Sequence, residues 1–280
     1  MKIAIVHDYI KEFGGAERVL MTLHEMFPQA PIYTAFRTPG SSADKAFKGV
    51  KTITSWADLL IRYKNLHSML RFLVPLIWES FDFSKYDVVI LSSSGYLTKP
   101  VGIPKNVRVI CYCHTPPRFL YGYSGMDYRK YWYVTIYKNI IAFFLRIYDW
   151  YGAQRVDQFI ANSGETAKRI RKFYRKDAIV IYPPVEIEKH LRGLSPQRSE
   201  DCKVPAKQGS YFLTIGRIAS FKGVDLAIHA AKKLGVHLKV VGEFSGVFSE
   251  QKNIEKLAGE NVEFLGRVPD SELKDLYQNA

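Results

Sequence analysis

The chain has 280 residues, 47% of them hydrophobic, which is enough for two packed cores and too apolar for intrinsic disorder. Lys and Arg total 40 against 27 Asp and Glu, a formal charge of +13 that favours nucleic acid, anionic lipid or phosphorylated ligands without choosing among them. No zinc-finger spacing, basic zipper or RNP-type aromatic motif occurs, which disfavours nucleic acid; the three cysteines, with Cys111 and Cys113 in an apolar run, fit neither a disulfide framework nor a metal site and read as buried thiols.

Met1 leads straight into KIAIVHDYI, a strand pattern rather than a charged start with a cleavage site, so no signal peptide is expected and the chain reads as intracellular. A loop holding Gly14 and Gly15 follows, and helical spacing begins at Ala16. Glycines let backbone approach a ligand closely, and the first N–H groups of a helix sit at the positive end of its dipole, so this loop is a candidate phosphate cradle. An ordinary tight turn explains it equally well, and no G-x-G-x-x-G follows the strand.

From Trp56 to Trp78, residues Trp56, Leu59, Leu60, Tyr63, Leu66, Leu70, Leu73 and Val74 recur at helical spacing and predict an amphipathic helix. YDVVILSSS and VRVICYCHT are the next strands. The second ends at His114, before Thr115-Pro116-Pro117-Arg118 must turn. Ligands of open parallel sheets bind beyond the carboxyl ends of strands, so His114 is a candidate partner for a sugar hydroxyl; capping the strand end is the alternative.

Tyr131 to Trp150 has a wide apolar and aromatic face, with Thr135, Lys138, Asn139, Arg146 and Asp149 gathered opposite. Neither this segment nor Trp56–Trp78 is a transmembrane span, because both carry internal charges. Each alone reads as a core helix. Together with Lys168, Arg169, Arg171, Lys172, Arg175 and Lys176 on one predicted helix, they suggest docking on an anionic bilayer. In DQFIANSGET a strand ends at Asn162 and Ser163, which are candidate ligand contacts or, for Ser163, a plain N-cap.

After AIVIYPPV the texture turns polar and Pro- and Gly-punctuated, which predicts a linker over 191–208 between domains 1–190 and 209–280. YFLTIGR, HLKVVGE and VEFLGRV then alternate with three helical patterns. The fold class is α/β, two doubly wound parallel-sheet domains in tandem, with the second expected to be incomplete because such sheets usually have about five or six strands. GRIASFKG lies where its first strand gives way to a helix. Arg217 can grip a diphosphate in bidentate fashion while Lys222 acts as a point charge, and Gly216 and Gly223 permit the turn. Gly242 in VVGEFSG, at the next strand end, is a further candidate for close approach of a ligand.

Taken together, HDY…GGAE, CHTPPR, ANS…YPPV, GR…KGVD and VVGE resemble, in order and spacing, the retaining glycosyltransferases of GT-B fold in family 4, across essentially the whole chain. The CHTPPR and YPPV wording is most similar to bacterial members that build surface polysaccharides of the cell envelope, mannosyl and other hexosyl transferases among them. The resemblance implies two Rossmann-like domains facing a cleft, the acceptor mainly on the first and the nucleotide sugar on the second. It implies that Arg217 and Lys222 hold the donor diphosphate without a metal or cofactor, that Gly14 and Gly15 close on the donor, and that His114 lies near the transferred sugar, with Gly242 donor-binding and Asn162 and Ser163 in the cleft. GDP-mannose is the donor and a lipid-linked or polysaccharide acceptor the partner that it suggests, with transfer under retention in the cytoplasm, at the inner face of the plasma membrane. A nucleotide-sugar epimerase and a non-catalytic nucleotide-sugar or polyanion binding protein are the alternatives. The family's E-x7-E belongs after a fourth strand of the second domain. Glu17/Glu25 and Glu255/Glu263 share its spacing by coincidence, so this chain is expected to bind donor weakly and transfer little.

Overall fold

A computed structural model describes residues 1–62, 70–122, 132–185, 211–218, 222–244 and 248–280. The chain divides into two compact units, Met1–Lys189 and His190–Ala280. The linker predicted over 191–208 lies outside the described residues.

The first unit is built on strands β1 (Ile3–His7), β2 (Ile32–Thr34), β3 (Thr52–Thr54), β4 (Val88–Ser93), β5 (Arg108–Cys113), β6 (Gln158–Ala161) and β7 (Ala178–Val180). Its helices are α1 (Gly15–Met26), α2 (Ser42–Ala46), α3 (Asp58–Arg62), α4 (Val74–Glu79), α5 (Trp132–Arg155) and α6 (Gly164–Tyr174). The strands form one parallel sheet in the order β3-β2-β1-β4-β5-β6-β7. Apolar residues on both faces suit a sheet covered on both sides. Ala4, Val6, Val89, Leu91, Cys111 and Cys113 face one core, whereas Ile5 and Ile32 face another with Leu20 and Phe47.

Two strands, β2 and β3, were not expected from the sequence. Each is three residues long, too short for a period of two to declare itself. Arg37 ties this edge together: its guanidinium donates to the Asp44 carboxylate, to Thr52 Oγ1 and to the carbonyls of Asp44 and Phe47.

Three helix expectations need correction. Trp56–Trp78 is not one continuous α-helix: α3 spans Asp58–Arg62, a 3-10 turn covers 70–73, and α4 starts where Pro75 occupies its first turn, because proline lacks the N–H and cannot sit in a helix interior; Tyr63 and Leu66 lie outside the described residues. Trp56, Leu59 and Leu60 are exposed while Ala57 and Ile61 are buried. In α5 the expected polarity is reversed at its key position. Asp149 is fully buried, and Ile136, Ile140, Phe143, Phe144, Ile147, Trp150 and Tyr151 are exposed. The basic helix α6 carries Lys168, Arg169, Arg171 and Lys172 but ends at Tyr174. Arg175 is its left-handed C-cap, and Lys176 lies beyond, donating to the carbonyls of Gln154 and Val156.

The second unit has strands β8 (Phe212–Ile215), β9 (Leu238–Val241) and β10 (Val262–Gly266), with helices α7 (Val224–Leu234), α8 (Phe248–Leu257) and α9 (Asp270–Gln278). Its parallel sheet runs β10-β9-β8. Val224, Ile228 and Ala231 of α7 and Ile254 of α8 pack on Leu238 and Val240, giving this unit its own core. Left-handed Gly223 and Gly235 bracket α7, conformations that glycine adopts without a Cβ penalty.

Candidate functional site

In the first sheet the strand order reverses between β1 and β4, and such a switch point opens a crevice at the carboxyl ends of the strands. Register sets His7 beside Ser92, and Ser93 beside Cys113, so these ends lie level. His114, the residue after β5, is joined to them. Its Nε2 lies 3.0 Å from Ser92 Oγ, and the same hydroxyl lies 2.9 Å from His7 Nδ1. On the far side of His7, Nε2 lies 3.6 Å from the Glu17 carboxylate on α1. Glu17 accepts the Gly14 N–H at 2.9 Å, the backward half of a capping box. Burial alone would raise the Glu17 pKa, but the neighbouring His7 and the backbone donors outweigh it and hold the group below its ordinary range. Burial pushes His114 down to about 4. Its imidazole is neutral at neutral pH.

The Gly14–Gly15 loop therefore differs from an open phosphate cradle. The Gly14 N–H is already used by Glu17, whose carboxylate stands where an anion would sit. Gly15 has open space around it.

Asp8, buried at the end of β1, holds the loop after β4. One carboxylate oxygen accepts from the N–H groups of Ser94, Gly95 and Tyr96 and from Ser94 Oγ, while the other accepts from Thr98 Oγ1. Within this loop Leu97 is held at φ 54°, a left-handed conformation that costs a branched residue energy and persists only when its surroundings impose it. Sequence reading missed Asp8, His7, Ser92 and Glu17. The signal was present in the polar residues that end each strand run, HD, SSS and CHT.

Asn162 and Ser163 follow β6. Ser163 is the N-cap of α6, accepting the Thr166 N–H at 3.2 Å, and Thr166 Oγ1 in turn donates to the His114 carbonyl. The capping role accounts for Ser163; Asn162 carries its side-chain oxygen 3.1 Å from Ser163 Oγ.

In the second unit, Gly216 follows β8, Arg217 is exposed, and buried Ile218 pins the loop by bridging to Phe244 and donating its N–H to the Glu243 carbonyl. Lys222 is exposed immediately before Gly223, the N-cap of α7, which offers no side-chain cap. Residues 219–221 lie outside the description. Arg217 thus follows the strand end and Lys222 precedes a helix N-terminus without a side-chain cap, where unsatisfied N–H groups favour an anion. Gly242 is filled by protein: a Cβ there would lie 1.9 Å from the Gly216 carbonyl oxygen, so its bareness admits the neighbouring strand end.

Among the described residues no group of three His, Cys, Asp or Glu could hold a metal ion, and no helix is long and apolar enough to cross a membrane. Burial raises the thiols of Cys111 and Cys113 well above their ordinary value, that of Cys113 to about 12, as inert core cysteines require. A depression lined by Met1, Lys2, Met26, Phe27 and Tyr86 lies at the opposite, amino ends of the strands and brings no chemistry together.

A family profile described as Glycosyltransferase Family 4 matches residues 13–189, and one described as Glycosyl transferases group 1 matches residues 198–280. The chain is 25% identical over 253 residues to the Candida glabrata alpha-1,3/1,6-mannosyltransferase ALG2, covering 84% of this chain and 52% of that protein. It thus spans about half the length of the curated relative it matches. Anabaena Alr3699/HepE, solved in complex with UDP-glucose, superposes with a TM-score of 0.59 at 13% identity, over 96% of this chain and 70% of that one. A variant of S. aureus TarM, solved with Fondaparinux, alpha-GlcNAc-glycerol and UDP, gives a TM-score of 0.54 at 14% identity, over 96% and 78%. At these identities the structural matches establish the shared GT-B fold.

Proposed function

The chain belongs to glycosyltransferase family 4, and from that premise we propose that it moves a hexose, mannose first among the candidates, from a nucleotide sugar to a lipid-linked or polysaccharide acceptor with retention and without a metal. The observation that carries the reading is that Arg217 is exposed just past the carboxyl end of β8 and Lys222 is exposed just before the start of α7, which has no side-chain cap. A guanidinium and an ammonium placed there match the two phosphates of a departing nucleoside diphosphate and would stabilise the charge that develops as it leaves, the task a metal performs elsewhere. The mannosyltransferase relative supports mannose, and the UDP complexes of Alr3699/HepE and TarM support a nucleotide-sugar donor.

On this reading His114 receives a sugar hydroxyl in the first unit, and Asn162 borders the same strand ends. Gly14 and Gly15 contact the donor only if Glu17 gives up the Gly14 N–H. The test is calorimetric titration with GDP, UDP and a panel of GDP- and UDP-sugars, followed by a transfer assay with glycolipid acceptors. Donor binding with sugar transfer supports the proposal. Binding without turnover favours the non-catalytic alternative, release of an epimerised nucleotide sugar favours the epimerase, and no binding to any nucleotide sinks it.

The outer face of α5 favours a second element of the reading, an anionic membrane surface at the inner face of the plasma membrane. From Ile136 to Tyr151 the exposed apolar and aromatic residues form one stripe, about 22 Å long at the rise of an α-helix. Helix α6 packs on α5 and presents Lys168, Arg171 and Lys172 to solvent. Apolar area beside basic residues is what an interfacial helix offers to acidic lipid.

A further inference from the structure

We infer that the Glu17 carboxylate beside His7 sets the direction of the hydrogen bonds that link His7, Ser92 and His114, and so fixes the tautomer of His114 with the proton on Nε2 and a lone pair presented at Nδ1. The argument starts from the hydroxyl. Ser92 has one proton and lies within hydrogen-bond distance of a ring nitrogen on each side, His7 Nδ1 and His114 Nε2, so it donates to one histidine and accepts from the other. Only two polarities of the chain exist while both rings are neutral. Glu17 selects between them. An ionised carboxylate can only accept, so the His7 nitrogen facing it, Nε2, carries the proton. His7 Nδ1 is then the acceptor and takes the Ser92 hydroxyl proton. The Ser92 oxygen in turn accepts from His114, whose proton must be on Nε2. The opposite polarity would set a bare lone pair on His7 Nε2 against the Glu17 carboxylate inside a nearly closed site, where like-signed partners cost most.

His114 Nδ1 has no hydrogen-bond partner among the described residues. As a lone pair at the strand end it accepts a ligand hydroxyl and rejects a second acceptor, which gives the site a preference for polyols over phosphate oxygens. That last step rests on the sugar-transfer reading; the chain itself does not. Glu17, His7 and Ser92 are positioning residues, acting through His114.

The experiment reads the imidazole nitrogens directly. The full 280-residue chain is labelled with 15N-histidine, and long-range proton–nitrogen correlations are recorded at neutral pH, with His114 assigned by its loss in His114→Gln. The expected result is a protonated Nε2 and an unprotonated Nδ1 on His114. In Ser92→Ala, which breaks the chain at its centre, both His114 nitrogens should move towards the averaged positions of a free neutral imidazole. Glu17→Gln, which keeps the side-chain shape and removes the charge, should move them the same way by less. A wild-type His114 protonated on Nδ1 overturns the inference, as do His114 shifts left unchanged in Ser92→Ala; if circular dichroism shows that variant unfolded, unchanged shifts in Glu17→Gln overturn it. No donor or acceptor is present in these measurements, so their outcome stands apart from the transfer assay.

Discussion

Lys99 Nζ lies 2.7 Å from Asp149 Oδ1, with both side chains buried and the second carboxylate oxygen accepting from the hydroxyls of Tyr121 and Tyr174. Burial would lower the lysine's pKa, but the Asp149 carboxylate outweighs it and holds the ammonium at about 12. This pair anchors α5 to the segment that Asp8 clamps. Removing one partner strands a buried charge, so Lys99→Met should destabilise the chain by about 3–5 kcal/mol in urea unfolding. Lys99→Met with Asp149→Asn, which keeps an acceptor for the two tyrosines, should recover a large part of that loss. A double variant as unstable as the sum of the single ones would show that the two do not act as a pair.

His114 should give stability a measurable pH slope. Its ordinary pKa is 6.5 and the folded chain holds it at about 4. Between those values the unfolded chain binds a proton that the folded chain refuses, so stability falls as pH drops from 6.5 to about 4, by roughly 3 kcal/mol in all. His114→Gln should flatten that part of the profile, and urea midpoints at pH 7, 5.5 and 4.5 read the difference.

At Gly242 the expected effect is steric. A methyl group would collide with the Gly216 carbonyl, and the alanine bearing it would have to adopt φ 142°. Gly242→Ala should lower the stability of the second unit by at least about 1–3 kcal/mol. Loss of amide-exchange protection in β8 and β9, with β1 and β4 unaffected, would locate the damage.

Arg217 and Lys222 are exposed, and their replacement should cost function rather than fold. Arg217→Ala and Lys222→Ala should each weaken binding of a nucleoside diphosphate by about 10- to 100-fold, the loss of one charge-assisted contact. Thermal midpoints should stay within a degree or two of wild type. Unchanged GDP and UDP affinity in both variants would remove these residues from the donor site.

For the α5 surface the measurement is sedimentation with vesicles. The chain should pellet with vesicles rich in phosphatidylglycerol and far less with neutral ones, and high salt should weaken it. Phe143→Ser with Phe144→Ser should abolish pelleting without loss of stability, since both rings are exposed. Equal recovery in the supernatant with both lipids would argue against membrane docking, and a concentration-dependent dimer lost in that variant would assign the stripe to a second copy of the chain.

Much of the fold was written in the strands. KIAIVH, DVVILSS and RVICYC are apolar on successive residues because a parallel sheet covered by helices buries both faces, so the run itself is the signal. The brief edge strands β2 and β3 lack the length for any signal, and their pairing depends on neighbours already in place. The orientation of α5 was hidden for a different reason. A charged residue on a mostly apolar helix is read as marking the solvent side, but Asp149 is drawn inward by Lys99 from a loop distant in sequence. The strand-end position of His114 and the strand-to-helix position of Arg217 and Lys222 were legible from local pattern. The links from His114 to Ser92 and His7 were not, because they arise only when register sets β1, β4 and β5 side by side.

The Asp8 clamp has an effect on which ligands the first unit can welcome. The backbone N–H groups of Ser94, Gly95 and Tyr96 turn inward to a fixed carboxylate, so a phosphate arriving at this strand end finds its natural donors already engaged and a negative charge behind them. Glu17 adds a second carboxylate at this strand end, beside His7.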